Sequence, residues 1–285
     1  MKNKTLYNFF LAVLLLGVLH SCTERVDIEL EQEYTKLAVE GYVAPGNNDF
    51  QYIHLTTTAG YFSNEVPPLV SGATVSVEDG TNVFLFNEDA NRPGYYLPPV
   101  DFQASVNETY RLSVDLAKEI AGTKHFEASE TMPELSNDID SVRTVYRPER
   151  ESWAIEFYGS DPPGPNFYMF NALRNGKLIN DTIWKVTVTD DKLIDDKYIY
   201  GAYVMILDKN ELYPGDQFTL ITSSITEEYY NYIIELRTEV APKIPLFSGP
   251  PANVSTNLSD GAVGYFAAFP SAFTETIVRE NASGK

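Results

Sequence analysis

Thr74-Val75-Ser76-Val77-Glu78-Asp79-Gly80, followed by the apolar run from Val83 to Phe86, is the stretch that decides the fold. Val75 and Val77 alternate with Thr74, Ser76 and Glu78, the period-two pattern of a strand with one buried face. Asp79-Gly80 interrupts the pattern just before the next apolar run, so a tight hairpin is expected. The same pattern extends to either side. Leu37, Val39 and Val43 share one face of an earlier strand, and Ile53 and Leu55 point opposite to Tyr52 and His54. Gly94 to Leu97, the alternating Tyr110, Leu112 and Val114, and the stretch around Phe126 bring the count to seven strands. Seven short strands separated by turn signals over residues 36–130 predict a β-sandwich of immunoglobulin or transthyretin type.

Ser129 to Asp138 carries Pro133 and several acids and reads as a domain boundary. Residues 139–280 then form a second β-rich domain. Its strands are expected at Val142–Tyr146, Trp153–Tyr158, Phe167–Leu173, Lys177–Trp184, Lys185–Thr189, Tyr198–Leu207 and Gln217–Ile221. Gly264-Tyr265-Phe266 and Thr276-Ile277-Val278 close it. Asn175-Gly176 is the strongest short hairpin signal in the chain. One helix is expected at about 225–240. Ser224-Ile225-Thr226-Glu227 fits a capping box, and Tyr229, Tyr232, Ile233, Leu236 and Val240 recur at helical spacing before Pro242. That stripe reads as core packing, with a ligand platform built on Tyr229 and Tyr230 as the sharper alternative. The fold class is therefore mainly β, with a single helix.

The 285 residues are 44% apolar and 13% aromatic, enough to bury one or two cores. With 21 basic and 40 acidic residues the net charge is −19, which repels phosphate backbones and excludes a nucleic-acid partner. A single cysteine permits neither an intramolecular disulfide nor a cysteine-based zinc site.

That cysteine marks the address. Lys2 and Lys4 precede an unbroken apolar run from Phe9 to Leu19, too short to span a bilayer. The layout is that of a secretory signal peptide over residues 1–21. Leu19-His20-Ser21-Cys22 resembles a bacterial lipobox, which makes Cys22 the lipidated mature N-terminus and residues 22–35 a tether. The acidic run Thr23 to Glu31 resembles the export tags of surface lipoproteins in Bacteroidota.

Five pieces carry a wider resemblance: Val39-Glu40-Gly41-Tyr42-Val43, Val70 to Val77, Gly94-Tyr95-Tyr96, Tyr110-Arg111-Leu112, and Gly261 to Phe266. In this order they resemble the Bacteroidota outer-membrane lipoproteins known as domain-of-unknown-function 4249. That family has an Asn-Ile-Gly-like step before its final Gly-Tyr-Phe. Here Asn253-Val254-Ser255 and Asn257-Leu258-Ser259 stand in that region. The resemblance implies a surface or periplasmic lipoprotein, often encoded beside a TonB-dependent outer-membrane receptor, and no known reaction.

Catalytic signatures are missing. The mature chain keeps only His54 and His125, both read as surface histidines, and holds no G-x-S-x-G, H-E-x-x-H or P-loop motif. No cofactor is implied. Asp190-Asp191 and Asp195-Asp196 could offer oxygen to calcium, but the loop lacks a shaping glycine and reads as solvated. Asp140-Ser141-Val142 and Asp181-Thr182-Ile183 resemble O-glycosylation sequons, making Ser141 and Thr182 candidate acceptors. The Pro/Gly-stiffened loops Asp161–Pro165 and Pro245–Pro251 are candidate partner contacts, with Phe247 and Leu246 as the anchor.

The expected function is a lipid-anchored outer-membrane binding or accessory protein, facing the cell exterior and working with a TonB-dependent transporter. A structural or adhesive surface role is the alternative. Enzymatic action on polysaccharide would need an aromatic cleft with two facing carboxylates. The anchor is directly testable: Cys22→Ser should abolish acylation, and mass spectrometry finding an unmodified Cys22 in a mature, soluble native chain would overturn it.

Overall fold

The computed structural model describes residues 35–46, 51–59, 65–136, 138–241 and 253–279. Cys22, Leu246 and Phe247 lie outside these residues, as do the signal peptide, residues 22–34 of the tether and the Pro245–Pro251 loop.

The hairpin that decides the fold is present. Strand β3 (Thr74–Glu78) pairs antiparallel with β4 (Val83–Glu88), Glu78 opposite Val83. The Asp79 carboxylate caps the turn, accepting from the Thr81 and Asn82 backbone N–H groups at 3.0 and 2.7 Å. Gly80 takes the positive φ of 84° that the turn requires. Around it run β1 (Leu37–Val43), β2 (Tyr52–Thr57), β5 (Tyr95–Leu97), β6 (Thr109–Ile120) and β7 (Thr123–Thr131). These are the seven expected strands. An eighth comes from far along the chain: β15 (Val263–Ala268) pairs parallel with β1, giving the order β15-β1-β2-β5-β4-β3-β6-β7.

The two edges of this sheet are laced together. Leu258 bridges to Ala128 of β7, and the Ser259 N–H donates to the Glu127 carbonyl at 2.8 Å. The sheet thus closes almost into a barrel around a core of Leu37, Val39, Ile53, Leu55, Val77, Phe102, Tyr110, Leu112 and Phe266. Closing the sheet covers backbone donors that an open edge would leave to pair with other chains.

The expected break at 129–138 falls where the chain changes sheet. Strands β8 (Asp138–Arg147), β9 (Ser152–Ser160) and β13 (Tyr198–Asp208) form a three-stranded sheet ordered β13-β9-β8. Strands β11 (Lys177–Leu178), β10 (Phe167–Arg174), β14 (Gln217–Ile225) and β16 (Ser271–Ile277) form another, with β12 (Thr187–Asp190) paired to β10. The two sheets share a core of Trp153, Ile155, Phe157, Phe170, Phe218 and Leu220. Asn175 and Gly176 both take positive φ, at 51° and 77°, in the expected hairpin. The strand beyond it stops at Leu178 rather than Trp184, because Thr182 to Lys185 form a turn. Thr35 to Lys285 cluster as one contact unit. A folding unit built on the first sheet has to include residues 257–268 as well.

Helix α1 (Glu227–Val240) is the one α-helix among the described residues, and no described helix is long and apolar enough to cross a membrane. Its cap differs from the expected one. Thr226, not Ser224, is the N-cap, its hydroxyl accepting from the Tyr229 N–H at 3.2 Å. Ser224 is held in β14 opposite Tyr168, and its hydroxyl meets Ser136. The helix buries Tyr229 and Ile233 against Met169, Ile225, Tyr265, Ala267 and Phe269, so that part of the stripe is core, whereas Tyr232 and Leu236 are half-buried and Val240 is exposed.

Gly264 shows how tight the closure is. It holds φ at 98°, and a Cβ there would overlap the Val39 carbonyl oxygen across the β1–β15 pair. Gly264→Ala should therefore cost roughly 3–5 kcal/mol. A denaturant midpoint unchanged from the parent chain would contradict this account of the closing strand.

Candidate functional site

The inner face of β1 and β2 feeds the barrel core, so period-two alternation sends Glu40, Tyr42, Tyr52 and His54 to the other side. Register does the rest. Glu40 lies opposite His54, Tyr42 opposite Tyr52, and His54 opposite Tyr95 of β5. The Tyr52 hydroxyl donates to the Glu40 carboxylate at 2.8 Å, and His54 Nδ1 stands 3.7 Å from its other oxygen. The His54 ring stacks on Tyr95, centroids 4.0 Å apart and 10° from parallel. His54 is not the surface histidine expected: its side chain is 18% exposed and its Nε2 is buried without a hydrogen-bond partner.

This polar cluster forms one wall of a cleft of about 600 Å³. Helix α1 supplies Tyr229, Tyr232, Ile233 and Leu236, and the β10-β14-β16 sheet supplies Met169, Asn171, Ile221 and Phe273. The turn after β11 adds Asp181, Thr182 and Ile183. Tyr42, Tyr229 and Phe269 join the walls edge to face and by stacking, at centroid distances of 5.9 to 6.4 Å. Volume, aromatic walls and a few convergent polar groups are the features of a small-molecule site.

The electrostatics are uneven. Burial alone would raise the Glu40 carboxyl, but hydrogen bonds from His54, Tyr52 and Tyr42 outweigh it and hold the group below the usual carboxylate range. Glu40 therefore stays ionised at neutral pH and offers a fixed negative charge. Burial and the Glu40 charge push the Tyr52 hydroxyl well above its ordinary value, so it remains a donor. Burial pushes Tyr232 up to about 12.

The sequence candidates scatter. Thr182 lies exposed on the cleft rim. Ser141 is exposed on β8, outside the residues lining the cleft. Tyr229 contributes to both core and cleft, whereas Tyr230 packs on Phe167 at 5.2 Å, so the two do not form one platform. His125 is exposed as expected, between Asp115 at 2.8 Å and Glu127 at 3.1 Å, which raise it above its ordinary value. In the Asp161–Pro165 loop Asp161 is buried, while Pro163 and Pro165 are exposed. The Asp190–Asp196 loop is not wholly solvated, because Asp191 is buried where it accepts from Asn166. Sequence reasoning quoted Glu40 and Tyr42 without nominating them. The available signal was the wet face of β1 and β2, where Glu40, Tyr42, Tyr52 and His54 fall in register.

No curated protein matches the chain. A solved cytokine receptor complex, crystal form 1A, is similar at 10% identity, covering 87% of this chain and 98% of that one. Its TM-score of 0.24 carries no argument. The model of a domain of unknown function matches residues 23–274. With every described strand except the end of β16 inside that span, the chain belongs to the family described as domain of unknown function DUF4249.

Proposed function

We propose that the chain is a binding protein, lipid-anchored at the outer membrane, which holds an amphipathic ligand in the aromatic cleft. It faces the cell exterior and passes that ligand to a TonB-dependent transporter. The cleft is the observation that supports this reading. Its apolar walls suit rings or alkyl chain, and the ionised Glu40 suits a cationic or donor-rich end. The lipobox and the company kept by the family's members support the location and the partner.

Glu40 and Asp181 both line the cleft, which touches the condition set for a polysaccharide-cleaving enzyme. Glycoside hydrolysis needs one carboxyl kept protonated near neutral pH. Glu40 is held in the opposite direction, so it fits only the ionised member of such a pair. An adhesive role has its own support. Strand β13 is a sheet edge, and its Tyr198, Tyr200 and Tyr203 are exposed, the first two with rings 4.3 Å apart.

Ala38 lies on the cleft side of β1, beside the buried Leu37 and Val39, so Ala38→Trp fills the cleft without emptying the core. The parent chain should bind the neutral apolar dye Nile red, and the variant should lose at least ~10-fold in affinity at an unchanged melting temperature. Equal dye binding by both would contradict the cleft reading. Purification from native outer membranes should recover a transporter; surface polymer recovered in its place would support the adhesive role.

A further inference from the structure

Three carboxylates meet where the loop after β9 touches the loop after β12. Asp161, Asp191 and Asp195 each offer an oxygen, and these oxygens all lie within 4.8 Å of one another. Asp161 is 4% exposed and Asp191 2%, while Asp195 sits at the surface. Collecting buried carboxylates is unfavourable unless a countercharge joins them. None of the ion pairs among the described residues involves these three. The nearby lysines are engaged elsewhere: Lys192 pairs with Asp190 at 2.8 Å, and the Lys197 Nζ donates to the Leu193 carbonyl at 3.4 Å.

Neutral donors satisfy part of the cluster. The Tyr168 hydroxyl donates to Asp161 Oδ1 at 2.6 Å. Asn166 donates to Asp191 Oδ2 from its backbone N–H at 2.9 Å and its side-chain amide at 3.1 Å. The Gly164 N–H donates to Asp195 Oδ1 at 2.9 Å. One oxygen is left over: Asp161 Oδ2 is buried and has no hydrogen-bond partner. Burial raises the Asp161 carboxyl above its usual range, helped by the charges of Asp191 and Asp195 and opposed by Tyr168 and the Asp196 backbone N–H. A cavity of about 480 Å³, lined by Asp161, Pro162, Pro163 and Asn166, reaches the cluster at Asp161.

We propose that Asp161, Asp191 and Asp195 form a calcium site, with Asp161 Oδ2 as its buried ligand. Calcium takes about 6–8 oxygens at roughly 2.3–2.6 Å, so ligands across the ion from one another stand up to about 5 Å apart. Oxygens within 4.8 Å fit such a shell, and water from the cavity completes it. Magnesium demands near-octahedral geometry and gives up its waters reluctantly, so carboxylates gathered from two loops suit calcium better. The loop Asp190–Asp196 has no shaping glycine of its own. Gly164, contributed by the other loop, orients Asp195 instead, so the site is assembled from two distant stretches and shows no continuous motif.

The test is thermal unfolding of the EDTA-treated, purified chain, with calcium, magnesium or sodium chloride added at matched ionic strength. Calcium at 10 mM should raise the melting temperature by at least ~3 °C, and magnesium by less than half of that. Asp161→Asn should raise the melting temperature of the metal-free chain, because it removes a buried like charge, and should abolish the calcium response. Asp195→Asn, at an exposed position, should raise the metal-free melting temperature by less than Asp161→Asn does and should reduce the calcium response at least fivefold. Calorimetric titration with calcium should show one site per chain. A calcium shift no larger than that of magnesium or sodium would overturn the proposal. So would a shift that survives in Asp195→Asn, the arm that decides if Asp161→Asn fails to fold.

Discussion

The carboxylate of Glu130 ties together three distant parts of the chain. It sits on β7, buried, and accepts from the Thr226 hydroxyl at 2.5 Å, the Tyr265 hydroxyl at 3.2 Å and the Asn257 amide at 3.2 Å. Thr226 is the cap of α1, Tyr265 lies on the closing strand β15, and Asn257 precedes that strand. Asn257 extends the knot, donating to the Phe266 carbonyl at 2.7 Å and accepting from the Phe266 N–H at 3.1 Å. One side chain thus fixes where the closing strand β15 enters the first sheet, and one carboxylate fixes the helix beside it. Burial holds the Glu130 carboxyl above its usual range despite these donors. The fold therefore binds that proton more tightly than the unfolded chain does. The associated stabilisation is present at low pH and is lost as pH rises through the raised value.

The cleft depends on this knot. With β15 paired to β1, the outer face of β1 and β2 is set against α1 and the β10-β14-β16 sheet. Glu40 and Tyr265 are register partners on β1 and β15. The closure that completes the barrel core accordingly also places the charged wall of the cleft. Any motion that frees β15 would loosen both, which links ligand binding to the stability of the first sheet.

The local structure was legible where the pattern was local. Val75 and Val77, the Asp79-Gly80 turn, the Asn175-Gly176 hairpin and the helix around Tyr229 all follow from spacing and turn chemistry. The cap of the helix was misread because Ser224 fits a capping box equally well, and only strand pairing with Tyr168 decides against it. The long-range features were not legible. Nothing in Val263–Ala268 says that it pairs in parallel with residues more than two hundred positions earlier. Glu40 looks like an ordinary outward residue of a half-buried strand, and becomes a site residue only because α1 and the β10-β14-β16 sheet form the facing walls of a cleft into which its half-exposed side chain opens. Asp161 and Asp191 looked like turn and loop acids for the same reason: burial of a short polar residue depends on what the rest of the chain brings to it.

The central claim is that Glu130 and Asn257 act as a unit in holding the closing strand. A double-mutant cycle in denaturant unfolding tests it most directly, using Glu130→Ala, Asn257→Ala and the double variant. The account predicts a coupling energy of about 1–3 kcal/mol, because each single change already removes the shared contact. Losses that add to within ~0.5 kcal/mol would contradict it.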